Sequence, residues 1–254
     1  MTGFTPDHAG AEIRVSPNFG PRRANCPPSL VILHYTGMES CEAAEAWLCN
    51  TASEVSCHYI VHESGRIVQM VREADRAWHA GRGSWRGETD VNSASIGIEI
   101  CNPGHAFDYP DFTEPQIEAV IALCHSIAAR HRVRPENFLA HSDIAPGRKI
   151  DPGERFPWDR LYRAGVGHWV EPEPLVEDGG VGPGEAGPEI EEIQSMLQLY
   201  GYGIEITGAY DDRTRIVVEA FQRHFRPAGV DGVADISTHR TLQRLLAALP
   251  AESV

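Results

Sequence analysis

Lysine is almost absent from this chain: among 22 Lys and Arg residues, only Lys149 is a lysine. It lies in Ala140-His-Ser-Asp-Ile-Ala-Pro-Gly-Arg-Lys-Ile-Asp-Pro-Gly153, between a His and an Asp. A compact ammonium on a flexible stem is not equivalent to a broad planar guanidinium, so the lone exception reads equally as a position that needs the smaller cation or as chance in an arginine-rich composition. Positive charge is scarce overall. The formal net charge is −14, which excludes nucleic acid and anionic membranes as main partners. Long apolar runs are missing too: none approaches the ~20 residues of a membrane span. The first twenty residues carry Asp7, Glu12 and Arg14 where a secretory leader would have an apolar core. The six cysteines, Cys26, Cys41, Cys49, Cys57, Cys101 and Cys124, show no CxxC spacing. The expectation is reduced thiols in a cytoplasmic enzyme.

What is present is an ordinary globular composition, 254 residues with 42% hydrophobic and 23% charged, enough for one large domain and one small one. Val170 to Pro188 reads VEPEPLVEDGGVGPGEAGP, rich in Pro, Gly and acid, without a basic residue or apolar periodicity. It is a linker, and it divides the chain into domains at 1–169 and 188–254, with 170–187 between them. In the first domain, Leu30-Val-Ile-Leu-His-Tyr35 has the two-sided apolarity of a buried central strand. Ser40 to Asn50 reads as a short helix. His58 to His62 and Arg66 to Val71 flank Glu-Ser-Gly as a hairpin. Ser95-Ile-Gly-Ile-Glu-Ile100 alternates, with Glu99 opposite the isoleucines. Thr113 is a candidate N-cap for a helix with the stripe Ile117, Val120, Ile121, Cys124, Ile127 and Ala128. Phe138 to His141 is a last short strand. The expected class is α/β (α+β), a mixed central sheet flanked by helices.

His34 and His141 stand at the ends of apolar strands, where such sheets present functional side chains, and Asp151 follows in a Pro/Gly-rich loop. Two imidazoles and a carboxylate are the protein donors of a catalytic zinc site with one position left open. Each histidine taken alone reads sooner as a hydrogen-bonded core residue, and Glu99 alone as an exposed strand carboxylate.

Four segments narrow the reading: Ile32-Leu-His-Tyr-Thr36, Trp78-His-Ala-Gly81, Ser95-Ile-Gly-Ile-Glu-Ile100 and the string from His141 to Gly153. Together, in this order, they resemble the type 2 N-acetylmuramoyl-L-alanine amidases, most closely their AmpD/AmiD branch. The resemblance implies a mixed sheet with flanking helices. It implies that His34, His141 and Asp151 ligate Zn2+, that Glu99 moves a proton from the attacking water to the leaving amine, and that Lys149 stabilises the oxyanion. Tyr35, His79, Ala80 and Asn92 fall in segments expected to line the groove. Arg86, with Arg82 near it, is a candidate for stem-peptide carboxylates. His58, His62, His105, His125 and His131 read as structural or surface residues. The N-terminal Met1 to Pro28 and the loop from His105 to Pro110 match nothing.

In the second domain, Glu189 to Tyr202 has the apolar stripe Ile190, Ile193, Met196, Leu197 and Tyr200, with Gly201 as its stop. A second helix is expected over Thr214 to Phe225 and a third over Leu242 to Leu249. The Gly208-Ala-Tyr-Asp211, Phe221-Gln222 and Asp231-Gly232 punctuation resembles the type 1 peptidoglycan-binding domain. The whole chain therefore reads as a zinc-dependent amidase that cleaves between N-acetylmuramic acid, or its anhydro form, and L-alanine, in peptidoglycan turnover. Its partners would be peptidoglycan or muropeptide fragments, with no nucleic acid, no membrane span and no obligate protein partner. A non-catalytic peptidoglycan recognition protein and a phage-type lysin remain as alternatives. The expected location is the cytoplasm, the alternative the periplasm.

Overall fold

The structure is a computed structural model and describes residues 4–24, 26–175 and 179–250. In chain order the strands and helices are β1 (Glu12–Ile13), β2 (Phe19–Pro21), β3 (Leu30–Tyr35), α1 (Cys41–Leu48), β4 (Tyr59–Val61), β5 (Ile67–Gln69), β6 (Asp75–Ala77), α2 (Val91–Ala94), β7 (Ser95–Ile100), α3 (Glu114–His131), β8 (Phe138–Ala140), α4 (His141–Ile144), α5 (Trp158–Arg163), α6 (Pro188–Tyr200), α7 (Asp212–Phe225) and α8 (Ile236–Ala247).

Six strands form one sheet in the order β1-β5-β4-β7-β3-β8. The inner run β4-β7-β3-β8 is parallel, β5 turns back against β4, and β1 runs with β5. The mixed sheet with flanking helices is the architecture expected. β3 lies inside the sheet between β7 and β8, with Val31, Ile32 and Leu33 fully buried, as both-sided apolarity requires. The hairpin forms where the Gly65 turn (φ 83°) permits it, pairing Tyr59 to Val61 with Ile67 to Gln69. Helix α3 buries Ile117, Val120, Leu123, Cys124 and Ile127. Thr113 holds the N-cap position but makes no side-chain cap; its hydroxyl instead donates to the Glu63 carbonyl and ties the helix to the hairpin.

The unmatched N-terminal segment supplies β1 at the sheet edge and β2, which pairs with β6 in a small second sheet. Cys41 and Cys101 are joined as a disulfide, in contrast to the free thiols expected. Sixty residues separate them, so no local spacing signals the pairing.

The three C-terminal helices pack against the sheet unit, and one buried apolar cluster runs through both. α8 begins six residues earlier than its apolar period suggests. Asp235 accepts from the Thr238 N–H at 2.7 Å and starts the helix through Ile236, Ser237 and Thr238, residues of modest intrinsic propensity. Parts of the acidic segment before α6 are held as well: Glu173 N–H donates to Thr241 Oγ1 at 3.0 Å, and Val181 bridges to Ala234.

Candidate metal centre and active site

Register assembles the site. In the parallel pair β3–β7, His34 stands opposite Glu99; in β3–β8, Leu33 stands opposite Ala140, so His141 follows at the neighbouring strand end. Three adjacent strands thus deliver Glu99, His34 and His141 side by side. Asp151 arrives from the loop after α4, fastened by the Ser142 N–H donating to its carbonyl at 3.0 Å. The three expected ligands meet: His34 Nδ1 is 2.8 Å from His141 Nδ1, and Asp151 Oδ2 lies 3.1 Å from the first and 3.0 Å from the second.

The hydrogen bonds behind these rings decide what faces the centre. His141 Nε2 lies 3.0 Å from the Ala80 carbonyl, which only accepts, so Nε2 carries the proton. Ser95 donates its hydroxyl to the Val91 carbonyl at 2.6 Å and therefore accepts from His79 Nε2 at 3.1 Å. That leaves His79 Nδ1 as an acceptor, and His34 Nε2, 3.0 Å away, as its donor. Both ligand histidines therefore turn an unprotonated Nδ1 toward a carboxylate oxygen. Three electron-rich atoms in such contact repel one another unless a cation sits among them. A proton is disfavoured: burial, then the neighbouring His141, lower the His34 pKa to about 4. Two nitrogens and one oxygen, buried and pinned from behind by a carbonyl and a histidine, fit a zinc ion.

The ligands open into a cleft of about 540 Å³. Glu99 and Lys149 line it too. Glu99 Oε2 is shut off from solvent with no hydrogen-bond partner among the described residues. Burial, then the Asp151 charge, push its pKa well above the usual carboxylate range, against the pull of Lys149. Helix α1 with Met38 and Val55 gives the facing wall an apolar character, including the exposed Trp47.

The remaining candidates divide. Tyr35 lines the cleft, its hydroxyl 3.1 Å from His105 Nδ1. His79 borders the cleft but chiefly backs His34. Its ring lies flat over β7 because Gly97 has no side chain; a Cβ there would sit 2.4 Å from the ring. Ala80 is buried and acts through its carbonyl. Asn92 sits behind the cleft, where its Oδ1 accepts from the His79 and Ala80 N–H groups at 3.0 and 2.9 Å. Arg86 is turned away as well: its Nε donates to the Tyr200 carbonyl at 3.1 Å, on the face that meets the C-terminal helices. The Trp78 to Gly81 string thus builds the support of the ligands more than the groove.

Two residues of the site escape sequence reasoning. Arg148 lines the cleft and its Nη2 donates to the Ala80 and Arg82 carbonyls, each at 2.6 Å, bracing the carbonyl that holds His141. Only its position beside Lys149 could have hinted at it. His105 stacks on Tyr109, whose hydroxyl donates to the Pro152 carbonyl at 2.7 Å, so the unmatched loop folds over the Asp151 turn.

The sequence model of the N-acetylmuramoyl-L-alanine amidase family matches residues 24–154, and that of a peptidoglycan binding domain matches residues 186–248. The chain is 37% identical over 230 residues to the N-acetylmuramoyl-L-alanine amidase AmiD of Escherichia coli, covering 85% of this chain and 82% of that one. It is 29% identical to the 1,6-anhydro-N-acetylmuramyl-L-alanine amidase AmpD of Enterobacter cloacae, over 58% of this chain and 86% of AmpD. Among solved structures, E. coli AmiD in complex with the substrate anhydro-N-acetylmuramic acid-L-Ala-D-gamma-Glu-L-Lys superposes with a TM-score of 0.75 at 35% identity, covering 89% of this chain and 92% of that one. AmpDH3 from Pseudomonas aeruginosa gives 0.73 at 30% identity, covering 98% and 100%. With its strand-end histidines, its cleft glutamate and these matches over most of its length, the chain belongs to the N-acetylmuramoyl-L-alanine amidase family.

Proposed function

We propose that this amidase uses zinc, held by His34 Nδ1, His141 Nδ1 and Asp151 Oδ2, to hydrolyse the amide between N-acetylmuramic acid, or its anhydro form, and L-alanine of the stem peptide, in peptidoglycan turnover. The observation that carries the reading is the convergence of those three atoms in the cleft. A bound zinc ion supplies Lewis acidity, which acidifies water and polarises the scissile carbonyl. Glu99 takes the proton of the attacking water and delivers it to the leaving nitrogen. Its raised pKa suits a group that must both accept and return a proton. Lys149 places the chain's only ammonium beside the carbonyl oxygen as negative charge develops there. Tyr35 and the apolar wall with Trp47 orient the muropeptide. The anhydro substrate finds support in the AmiD complex and in AmpD's name, and the C-terminal match supports contact with the wall polymer.

The non-catalytic alternative is disfavoured because the full donor set and Glu99 are present. For the compartment, the cytoplasm remains our proposal, supported by the four cysteines that stay unpaired, Cys26, Cys49, Cys57 and Cys124. The Cys41–Cys101 disulfide favours the periplasm, since such bonds persist in oxidising surroundings. Thiol counting on protein isolated from cell fractions decides between them. The catalytic reading is tested by mass spectrometry of defined anhydro-muropeptides incubated with the zinc-loaded protein. Release of the intact stem peptide with L-alanine at its N-terminus is expected; unchanged substrate would refute the proposal.

A further inference from the structure

We propose that the C-terminal helical unit is a structural part of the metal centre: Tyr202 and His224 clamp Asp143, and through it the short helix that carries His141. The inference rests on the zinc reading given above.

Asp143 lies in α4, two residues after His141, and is fully buried. From its own unit its carboxylate receives the Ala140 N–H, at 2.8 Å on Oδ2. The other donors come from beyond the acidic segment. The Tyr202 hydroxyl donates to Oδ1 at 2.7 Å, and His224 Nδ1 lies 2.7 Å from Oδ2. A buried carboxylate left with one backbone donor is costly, so these partners hold Asp143 in its present place. Helix α4 has four residues, too few to keep its own shape in isolation. Its orientation, and with it the aim of His141, depends on what grips its side chains.

The grip is itself rigid. The His224 ring stacks on Trp158 of α5 at 3.7 Å between centroids and on Phe225 at 3.8 Å, which fixes where Nδ1 points. Two further contacts brace neighbouring parts of the site. Gly147, between His141 and Asp151, lies so close to α7 that a Cβ would come 2.6 Å from Ile216 Cδ1. Arg86 N–H donates to the Gly201 carbonyl at 2.9 Å, anchoring the loop that starts at Ala80, the acceptor of His141 Nε2. Tyr202 and His224 are thus positioning residues that act on the ligand through Asp143 without touching substrate.

Full-length Tyr202→Phe, His224→Phe and the double variant test this. Both substitutions keep the aromatic packing and remove only the donor. Leu242→Ala, buried in α8, a helix that gives Asp143 no donor, serves as a control that destabilises the same unit. Zinc affinity by chelator competition, the visible spectrum of the cobalt-substituted protein, Tm, kcat and KM are measured on each. The expected result is a loss of zinc affinity of about 10- to 100-fold in the double variant, typical of removing partners behind a metal ligand. It should come with an altered cobalt spectrum, a lower kcat and a KM within about twofold of wild type. Tyr202→Phe, which loses one oxygen, should show part of the effect even if the double variant fails to fold, while Leu242→Ala should lower Tm and leave zinc affinity unchanged. A fall in Tm with unchanged zinc affinity and cobalt spectrum would overturn the clamp, as would an equal loss of affinity in Leu242→Ala. Wild-type protein that takes up no zinc would instead overturn the underlying metal reading, so the two failures are distinct.

Discussion

At the scale of single residues, protons decide the account. His34 and His141 can each offer an unprotonated Nδ1 to a metal because their Nε2 atoms are spoken for, one by His79 and one by a carbonyl. Glu99 is a cleft carboxylate whose pKa burial holds above its usual range, and Glu99→Ala should lower kcat by about 100- to 10,000-fold while bound zinc stays at its wild-type level. Unchanged turnover would remove Glu99 from the chemistry. Lys149→Ala should cost about 100- to 1,000-fold in kcat, with Lys149→Arg recovering little of it; full recovery by arginine would show that only charge matters there. Buried histidines also set the stability of the metal-free protein. His58 is lowered to about 3, by burial and then by Arg22, from an ordinary 6.5. It accepts from Gly97 N–H through Nδ1 and so folds neutral. A pKa lower in the folded state means that its stabilisation is complete above about pH 6.5 and declines as the pH falls toward 3. His34 shifts in the same direction. Urea midpoints of the metal-free protein should therefore fall below pH 6.5, and a flat profile would contradict the neutral assignment. The candidate ligands, Glu99 and Lys149 were legible as candidates because each sits in a short string that resembles the family, and the structure lines one cleft with all five. The backing roles of His79, Ala80, Asn92 and Arg148 were not, because they depend on which way a ring or carbonyl turns in space.

Elements show why some of the fold could be read and some could not. α3 and the β4–β5 hairpin carry their period or turn in consecutive residues, and they form where expected. The start of α8 was hidden because an Asp cap outweighs the weak propensity of Ile236, Ser237 and Thr238. The Cys41–Cys101 pairing joins α1 to the exit of β7 across a sequence gap that no pattern bridges. In β7, Gly97 reads as a weak point in a strand, yet it provides the flat bed for His79. Gly97→Ala should displace that ring, lower stability by about 1–3 kcal/mol and weaken zinc binding, because His34 loses its acceptor. Chemical denaturation and zinc titration of the variant check this; wild-type zinc affinity would show that His79 does not hold His34.

On the scale of the whole molecule, the acidic Pro/Gly segment suggests two bodies on a tether, while the buried cluster runs without a break through both. Asp143, Tyr202 and His224 are 59 and 81 residues apart in the pairs they make, which no local reading could foresee. A shared core predicts that calorimetry of the full chain gives one cooperative transition, with calorimetric and van't Hoff enthalpies in agreement; two resolved transitions would mean that the units fold apart. All of the chemistry still depends on one convergence of donors. Its most direct test is an anomalous-scattering map at the zinc edge from crystals of the zinc-loaded protein. The account predicts a single strong peak within bonding distance of His34 Nδ1, His141 Nδ1 and Asp151 Oδ2, open to the cleft on its remaining side. A peak bound elsewhere, or reached through Nε2 of either ring, would contradict it.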